Sequence, residues 1–272
     1  MKVAIYIKNE RLSGDPRLEQ FISALDGAGV ENYMLRGGYI EEGTSLSVAL
    51  GGDGTFLSCA DLTCRSGVPV LGVNLGRVGF LTENNPEDAV KAIAEGTWFV
   101  EDLSILDVRA PEVPHKEHFA INEVSVHRDG AAMLGVEVSV NSCTLPTYWA
   151  DGLIVATSSG STAYALSAGG PIIVPGSRVL EIVPIAPHNL NVRPLVVPDN
   201  SIVELRFHSR DGKVRLGMDN RGYELDADSV VKVSLAQYSL KRARLEGANF
   251  VKALTGKLFW GEDLRNSGRG GE

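Results

Sequence analysis

Cysteine is scarce: Cys59, Cys64 and Cys143 are the only three in 272 residues. Three is an odd number and no two form a CxxC pair, which argues against a disulfide framework or a cysteine-built zinc site and fits a reducing cytoplasm. The five histidines, His115, His118, His127, His188 and His208, show no HExxH or paired spacing, so they are assigned no zinc either. No apolar run approaches the roughly 18 to 20 residues that a membrane-crossing helix needs. Met1-Lys2 leads straight into the strand-like Val3-Ala4-Ile5-Tyr6-Ile7, so no signal peptide is expected. Positive charge is in deficit, with 26 Lys and Arg against 34 Asp and Glu and a formal charge of −8. That balance disfavours a broad footprint for nucleic acid or an anionic membrane, and any phosphate site must be local. No segment repeats at a fixed period, and low complexity is confined to Ser267-Gly268-Arg269-Gly270-Gly271.

What is present is an ordinary folded composition, 44% apolar and 22% charged, over a length that suits about two domains. The first hundred residues alternate short apolar runs with helix-like segments, the pattern of a parallel sheet flanked by helices. Strands are expected at Val3 to Ile7, Leu46 to Leu50 and Val68 to Val73. Helices are expected over Leu18, Phe21, Ile22 and Leu25, with Gly27 and Gly29 as stops, over Phe56 to Cys64, and from Pro86 through Ala89, Val90 and Ile93. From about Trp98 the period changes to two, as in Val136-Glu137-Val138-Ser139-Val140 and Val231-Lys232-Val233-Ser234-Leu235, so half-buried strands follow. The expected architecture is an α/β N-terminal domain over 1–97 and a mostly antiparallel all-β C-terminal domain over 98–248. A helical stretch from Asn249 to Phe259, within 249–265, is expected to return to the first domain, and 266–272 is a polar tail.

Gly51-Gly52-Asp53-Gly54-Thr55 follows the strand ending at Leu50 and opens a helix, the position where an α/β sheet offers ligands its strand ends. Glycines let the backbone approach a ligand, and free N–H groups at a helix start attract anions. Asp53 beside such a site makes sense as a proton acceptor for an attacking hydroxyl or as a cation ligand; otherwise it caps the helix. The turn is neither GxGxxG nor a Walker A loop, and no Gly-x-Ser-x-Gly elbow occurs elsewhere. Asn122-Glu123 reads as two polar residues inside an apolar strand, with Phe119-Ala120-Ile121 before and Val124 after; one side chain points to the interior or a cleft, or both lie exposed at a bulge or strand end. Asp151-Gly152 leads through a strand to Thr157-Ser158-Ser159-Gly160-Ser161-Thr162-Ala163-Tyr164, the densest polar cluster of the chain, followed by a helix ending near Gly169-Gly170. Its small hydroxyls supply what recognition of a base edge or ribose requires, or simply cap a helix.

Together, in this order and spacing, these three motifs resemble the NAD kinases. Asn74-Leu75-Gly76-Arg77-Val78-Gly79-Phe80-Leu81-Thr82, Leu166-Ser167-Ala168-Gly169-Gly170-Pro171 and Ala186-Pro187-His188 followed by Arg193-Pro194-Leu195 reinforce the likeness, which covers about residues 1 to 260. The resemblance implies transfer of the terminal phosphoryl group of ATP, with polyphosphate a second donor to test, to the 2′-hydroxyl of the adenosine ribose of NAD. It implies Asp53 as the catalytic carboxylate with Gly54 beside it, and a divalent metal, Mg²⁺ by default, on the phosphates. Motif matching places Asn122, Glu123, Asp151, Thr162, Ala163, Tyr164, Ala165, Leu166, Ser167, Ala186 and Asn220 at the dinucleotide, with Phe80 at its edge. It further implies a cytoplasmic homodimer or homotetramer that binds NAD, NADP and ATP, with no nucleic acid or membrane partner. Two positions depart from the family pattern: Trp149 stands where many members carry Arg, and Glu101-Asp102-Leu103 lacks an arginine common there. Arg77 and Arg193 are then the basic candidates for a phosphate contact. The alternatives are a lipid kinase of the diacylglycerol or sphingoid type, which shares the Gly-Gly-Asp-Gly turn, and a dinucleotide-binding regulator without turnover.

Overall fold

A computed structural model describes residues 1–8, 14–76 and 79–258. The chain divides into two compact units, Met1–Glu101 joined by the chain from Lys241 onward, and Asp102–Leu240. The return to the first unit thus begins inside a long strand rather than at residue 249.

The first unit runs β1 (Lys2–Tyr6), α1 (Pro16–Gly27), β2 (Glu31–Met34), β3 (Thr44–Leu50), α2 (Asp53–Thr63), β4 (Val70–Val73) and α3 (Pro86–Glu95). β2, β1, β3 and β4 pair in parallel in that spatial order. The last five residues of β3 are all buried, as expected of a central parallel strand covered on both faces. Helix starts follow the capping rules. The Asp15 carboxylate accepts the Arg17 N–H ahead of Pro16, the Asn85 side chain accepts the Asp88 N–H at 2.8 Å ahead of Pro86, and Gly96 closes α3 in the left-handed region at φ 71°. Leu18, Phe21 and Leu25 from α1 and Ala89 and Ile93 from α3 meet Val3, Ile5, Leu46, Val48 and Leu71 in one core. α5 (Phe250–Leu258) belongs to this unit; Phe259 and the 266–272 tail lie outside the described residues.

The second unit carries the part of β5 (Trp98–Arg109) from Asp102 onward, β6 (Phe119–Ala120), β7 (Glu123–Arg128), β8 (Leu134–Val140), β9 (Cys143–Thr144), β10 (Tyr148–Ala150), β11 (Gly152–Thr157), β12 (Val179–Ile185), β13 (Leu195–Pro198), β14 (Val203–His208), β15 (Lys213–Met218), β16 (Arg221–Asp226) and the first part of β17 (Val230–Leu245). The far end of β17 pairs in parallel with β4 through Arg242 and Ala243. One sheet has the order β13-β12-β11-β7-β15-β16, and β10, β8, β14 and β17 belong to the other; every one of these pairings is antiparallel. Val124, Val126, Leu153, Val155 and Ile182 from the first sheet pack with Val136, Val138, Val203, Leu205 and Val231 from the second. The α/β unit and the antiparallel β unit read from sequence are therefore the architecture observed. Among the described residues no helix is long and apolar enough to cross a membrane.

Two local readings are corrected. The run from Phe119 to Val126 is not one strand: β6 ends at Ala120, β7 begins at Glu123, and Ile121-Asn122 bridges them. The helix expected after the serine-rich turn is only a 3₁₀ turn over Gly160–Thr162 and the single turn α4 (Tyr164–Ser167), because Ala163 adopts φ −100°, ψ −126° and interrupts the coil.

Candidate active site

In the first unit, Asp53 is the first residue of α2 and Gly52 occupies the cap position without a side-chain hydrogen bond, so Asp53 is not the cap of its own helix. Its carboxylate turns instead to the loop after β4. Oδ1 accepts the Leu81 N–H at 3.0 Å, the Thr82 N–H at 2.9 Å and the Thr82 hydroxyl at 2.9 Å, and Oδ2 accepts the Phe80 N–H at 2.8 Å. Three donors saturate Oδ1, whereas Oδ2 keeps a lone pair. Gly79 is required by this approach, since a Cβ there would lie 1.9 Å from Oδ1. The preceding turn is equally tight: Gly51 has φ 151°, and a Cβ on it would meet the Thr55 hydroxyl at 2.5 Å.

The loop is also held from behind. Arg242 donates to the Phe80 carbonyl at 2.8 Å and to Glu83 at 3.1 Å, while Arg244 makes two hydrogen bonds to Glu83, at 2.8 and 3.1 Å. Burial opposes ionisation of Glu83, yet the Arg244 hydrogen bond and both guanidinium charges hold its pKa below the ordinary value. Lys257 of α5 donates to the Gly79 carbonyl and lies over the Phe80 ring. Thr82 entered the sequence reading only as the end of the Asn74–Thr82 run, with no role, and Glu83, Arg242, Arg244 and Lys257, which carry no local motif, were missed. Arg77 lies outside the described residues.

In the second unit a further carboxylate repeats the Asp53 arrangement. Asp219, in the β15–β16 hairpin at φ 49°, accepts the consecutive N–H groups of Ile121, Asn122 and Glu123 at 2.7, 2.8 and 3.2 Å. Burial raises its pKa, against the pull of those three donors. Asp219 therefore fixes the strand break that carries the Asn-Glu pair, a role sequence reasoning did not see; the expected Asn220 is its neighbour. From the other side, Thr157 donates to the Ile121 carbonyl at 2.8 Å and accepts the Gly160 N–H at 3.0 Å, and a Cβ on Gly160 would lie 2.1 Å from the Asn122 carbonyl oxygen.

Asn122 and Glu123 are both buried, and Asn122 Oδ1 and Glu123 Oε2 have no hydrogen-bond partner. Burial, reinforced by the Asp219 charge, pushes Glu123 up to about 8, although the Tyr164 N–H bonds to its carboxylate. Tyr164 stacks on His127 with ring centroids 5.8 Å apart. Thr162 and Ala163 are half-buried, Ser167 is exposed, and Leu166 is half-buried. The Ala165 side chain packs with Ile154, Ala156 and Val183, leaving only its backbone for a ligand. Asp151 is ion-paired to Arg128 at 2.8 Å. Ala186 takes φ 46°, a strained conformation for alanine. Arg193 is spent on its own loop, donating to the Leu190 and Val192 carbonyls at 2.8 and 2.7 Å. Trp149 is partly exposed and stacks on His208, and Leu103 is buried. Among the described residues no three His, Cys, Asp or Glu side chains cluster to hold a metal.

Two family models match the chain: the ATP-NAD kinase N-terminal domain over residues 37–96 and the ATP-NAD kinase C-terminal domain over residues 121–245. An NAD kinase from Flavobacterium johnsoniae is 39% identical over 234 residues, covering 84% of this chain and 80% of that one. An NAD kinase from Porphyromonas gingivalis is 41% identical over 222 residues, covering 80% and 77%. Among solved structures, an NAD kinase from Archaeoglobus fulgidus in complex with ATP aligns with a TM-score of 0.75 at 28% identity, over 90% of this chain and 94% of that one. Yeast NADH kinase complexed with NADH aligns with a TM-score of 0.84 at 22% identity, over 97% and 89%, which speaks to the fold alone. These matches support neither the lipid-kinase nor the regulator reading. By sequence along most of its length and by fold, the chain belongs to the NAD kinase family.

Proposed function

We propose that this chain transfers the terminal phosphoryl group of ATP to the 2′-hydroxyl of the adenosine ribose of NAD, giving NADP, and that Asp53 accepts the hydroxyl proton at Oδ2. The observation that carries this reading is the asymmetry of the Asp53 carboxylate, saturated at Oδ1 and open at Oδ2. A base held by backbone donors is pre-oriented, and phosphoryl transfer depends mainly on positioning and charge. Gly54 and Phe80 are the proposed neighbours of the reacting groups. Buried acceptors without partners are costly, so Asn122 Oδ1 and Glu123 Oε2 suit a ligand that brings donors, such as an adenine amino group or ribose hydroxyls. Asp151, Thr162, Ala163, Tyr164, Leu166, Ser167, Ala186 and Asn220, with the Ala165 backbone, are the proposed further contacts to the dinucleotide.

Mg²⁺ fits these residues only as an ion carried by the donor phosphates. The open lone pair of Asp53 Oδ2 is assigned to the proton, and among the described residues no three His, Cys, Asp or Glu side chains cluster, whereas Mg²⁺ readily stays on substrate phosphates with several of its waters. When bound, it neutralises phosphate charge. The reading includes a homo-oligomer working in the cytoplasm, with NAD, NADP and ATP as its small-molecule partners.

The test is NADP formation by the purified protein from NAD, Mg²⁺ and ATP, with polyphosphate in place of ATP as a second arm. NADP from ATP is the expected result; NAD binding with no NADP from either donor overturns the reading. Glu123 supplies a further check. Its neutral carboxyl at pH 7 makes Glu123→Gln the mild change, expected to hold NAD affinity within about threefold. Glu123→Ala, which loses a buried hydrogen bond, is expected to weaken it about tenfold by direct titration. Wild-type affinity is expected to rise as pH passes about 8, where Glu123 ionises and accepts the ligand's donors more strongly.

A further inference from the structure

Three cations and three carboxylates surround the Asp53 loop of the first unit, but they are not evenly paired. Glu83 and Glu101 lie behind the loop, and Arg242 and Arg244 answer them: both guanidiniums contact Glu83 within 3.1 Å and both approach Glu101 at 3.7 Å. Both arginines are buried, so their charge is already used. Lys257 belongs to neither pair. Its ammonium is half-buried in the last turn of α5, donates to the Gly79 carbonyl and stands 4.8 Å from the centre of the Phe80 ring. Among the described residues no carboxylate reaches ion-pair distance of its nitrogen. An ammonium has three donors and prefers a counter-charge when desolvated. Burial accordingly pulls the Lys257 pKa below the ordinary lysine value, with the charges of Glu83 and Asp53 acting the other way.

Lys257 and Asp53 grip the same short stretch: the carbonyl of Gly79 takes the ammonium, and the next three N–H groups take the carboxylate. An anion brought to Asp53 Oδ2 therefore meets a cation with donors to spare. We infer that Lys257 binds the terminal phosphate of the phosphoryl donor, supplying the basic contact for which Trp149 and Leu103 leave no arginine. The inference rests on the phosphotransfer reading above. In the step itself the 2′-oxygen forms its bond to phosphorus as the bond to the donor's bridging oxygen breaks. The hydroxyl proton passes to Asp53, and the diphosphate leaves with the electron pair of the broken bond. Lys257 donates to an oxygen of the group in transit, where added hydrogen bonds count most.

The experiment compares wild type with Lys257→Met and Lys257→Arg, measuring ATP binding by calorimetry without NAD, NAD binding by titration, and kcat and KM for each substrate. Lys257→Met is expected to weaken ATP binding and raise the ATP KM by about 10- to 100-fold, the worth of a charge-assisted hydrogen bond. NAD affinity should stay within twofold, and Lys257→Arg should restore most of the ATP affinity. Unchanged ATP binding in Lys257→Met overturns the proposal, including the case where kcat alone falls and Lys257 acts only through the loop. Retained NAD binding and an unchanged melting temperature exclude misfolding; where Lys257→Met melts early, ATP binding by Lys257→Arg decides, because loss in that variant too overturns the proposal. ATP binding is read without turnover, so a wild type that makes no NADP counts against the kinase reading and not against this one.

Discussion

Asp53→Asn is expected to lower kcat by about 10² to 10⁴-fold, the usual worth of a general base, while NAD and ATP affinities stay within a few-fold. The geometry of the carboxylate dictates how the amide sits. The Oδ1 position faces three donors, the N–H groups of Leu81 and Thr82 and the Thr82 hydroxyl, so the amide oxygen must take it. The NH₂ group then replaces Oδ2, the oxygen with the free lone pair, and meets the Phe80 N–H donor to donor. The substitution thus removes the proton acceptor and keeps most of the loop's hydrogen bonds. Thr82→Val is the matched control: it removes one donor from Oδ1 and leaves Oδ2 in place, so its kcat should drop far less than that of Asp53→Asn. Single-turnover measurements on the two variants separate the cases. Turnover of Asp53→Asn within tenfold of wild type would refute proton acceptance by Asp53.

What could be read from the chain followed how local each cause is. Pro86 marks a helix start, Gly27 and Gly29 the end of the first helix, and Leu46 to Leu50 a buried strand, because turn residues and apolar runs act within a few residues. β2 escaped notice because Glu31–Met34 is four residues long, lies at a sheet edge and buries no residue completely. The strand break at Ile121-Asn122 escaped for a different reason. Its cause is Asp219, 97 residues away from Asn122, and no pattern near Asn122 encodes that partner. Asp53 was legible as chemistry through its glycines, but the four donors that orient it come from residues 80 to 82, past a strand whose length hides the meeting. Gly79 illustrates the limit well. In sequence it is one glycine among 30, and only the 1.9 Å approach of Asp53 explains why no side chain fits there.

The strongest stability effect is expected at Glu181, a residue that no motif marks. It pairs with Ala156 on one side and Val196 on the other. Directly opposed residues share a face, and Glu123 also pairs with Ala156, so the two glutamates flank one alanine on the face that also carries Ala165 of α4. Glu181 has no accessible surface, and neither carboxyl oxygen has a hydrogen-bond partner. Burial raises its pKa from the ordinary 4.5 to about 7. The folded chain therefore favours the protonated form, and the stability contributed is fully present below about pH 4.5 and lost as pH rises to about 7. At 1.36 kcal/mol per pKa unit, the loss amounts to about 3 kcal/mol across that window. Glu181→Gln removes the titration and Glu181→Met also removes the polar group, so both should gain on wild type by about that amount between pH 5 and pH 8 in urea unfolding. Glu123 titrates with the same sign and is common to all three chains, so the difference between them isolates Glu181. Unfolding free energies that run parallel with pH in wild type and Glu181→Gln would mean that the carboxyl group is solvated in the folded state. A widening gap would mean that the sheet carries a buried acid beneath α4 at a measurable cost, one that grows as pH rises toward neutrality.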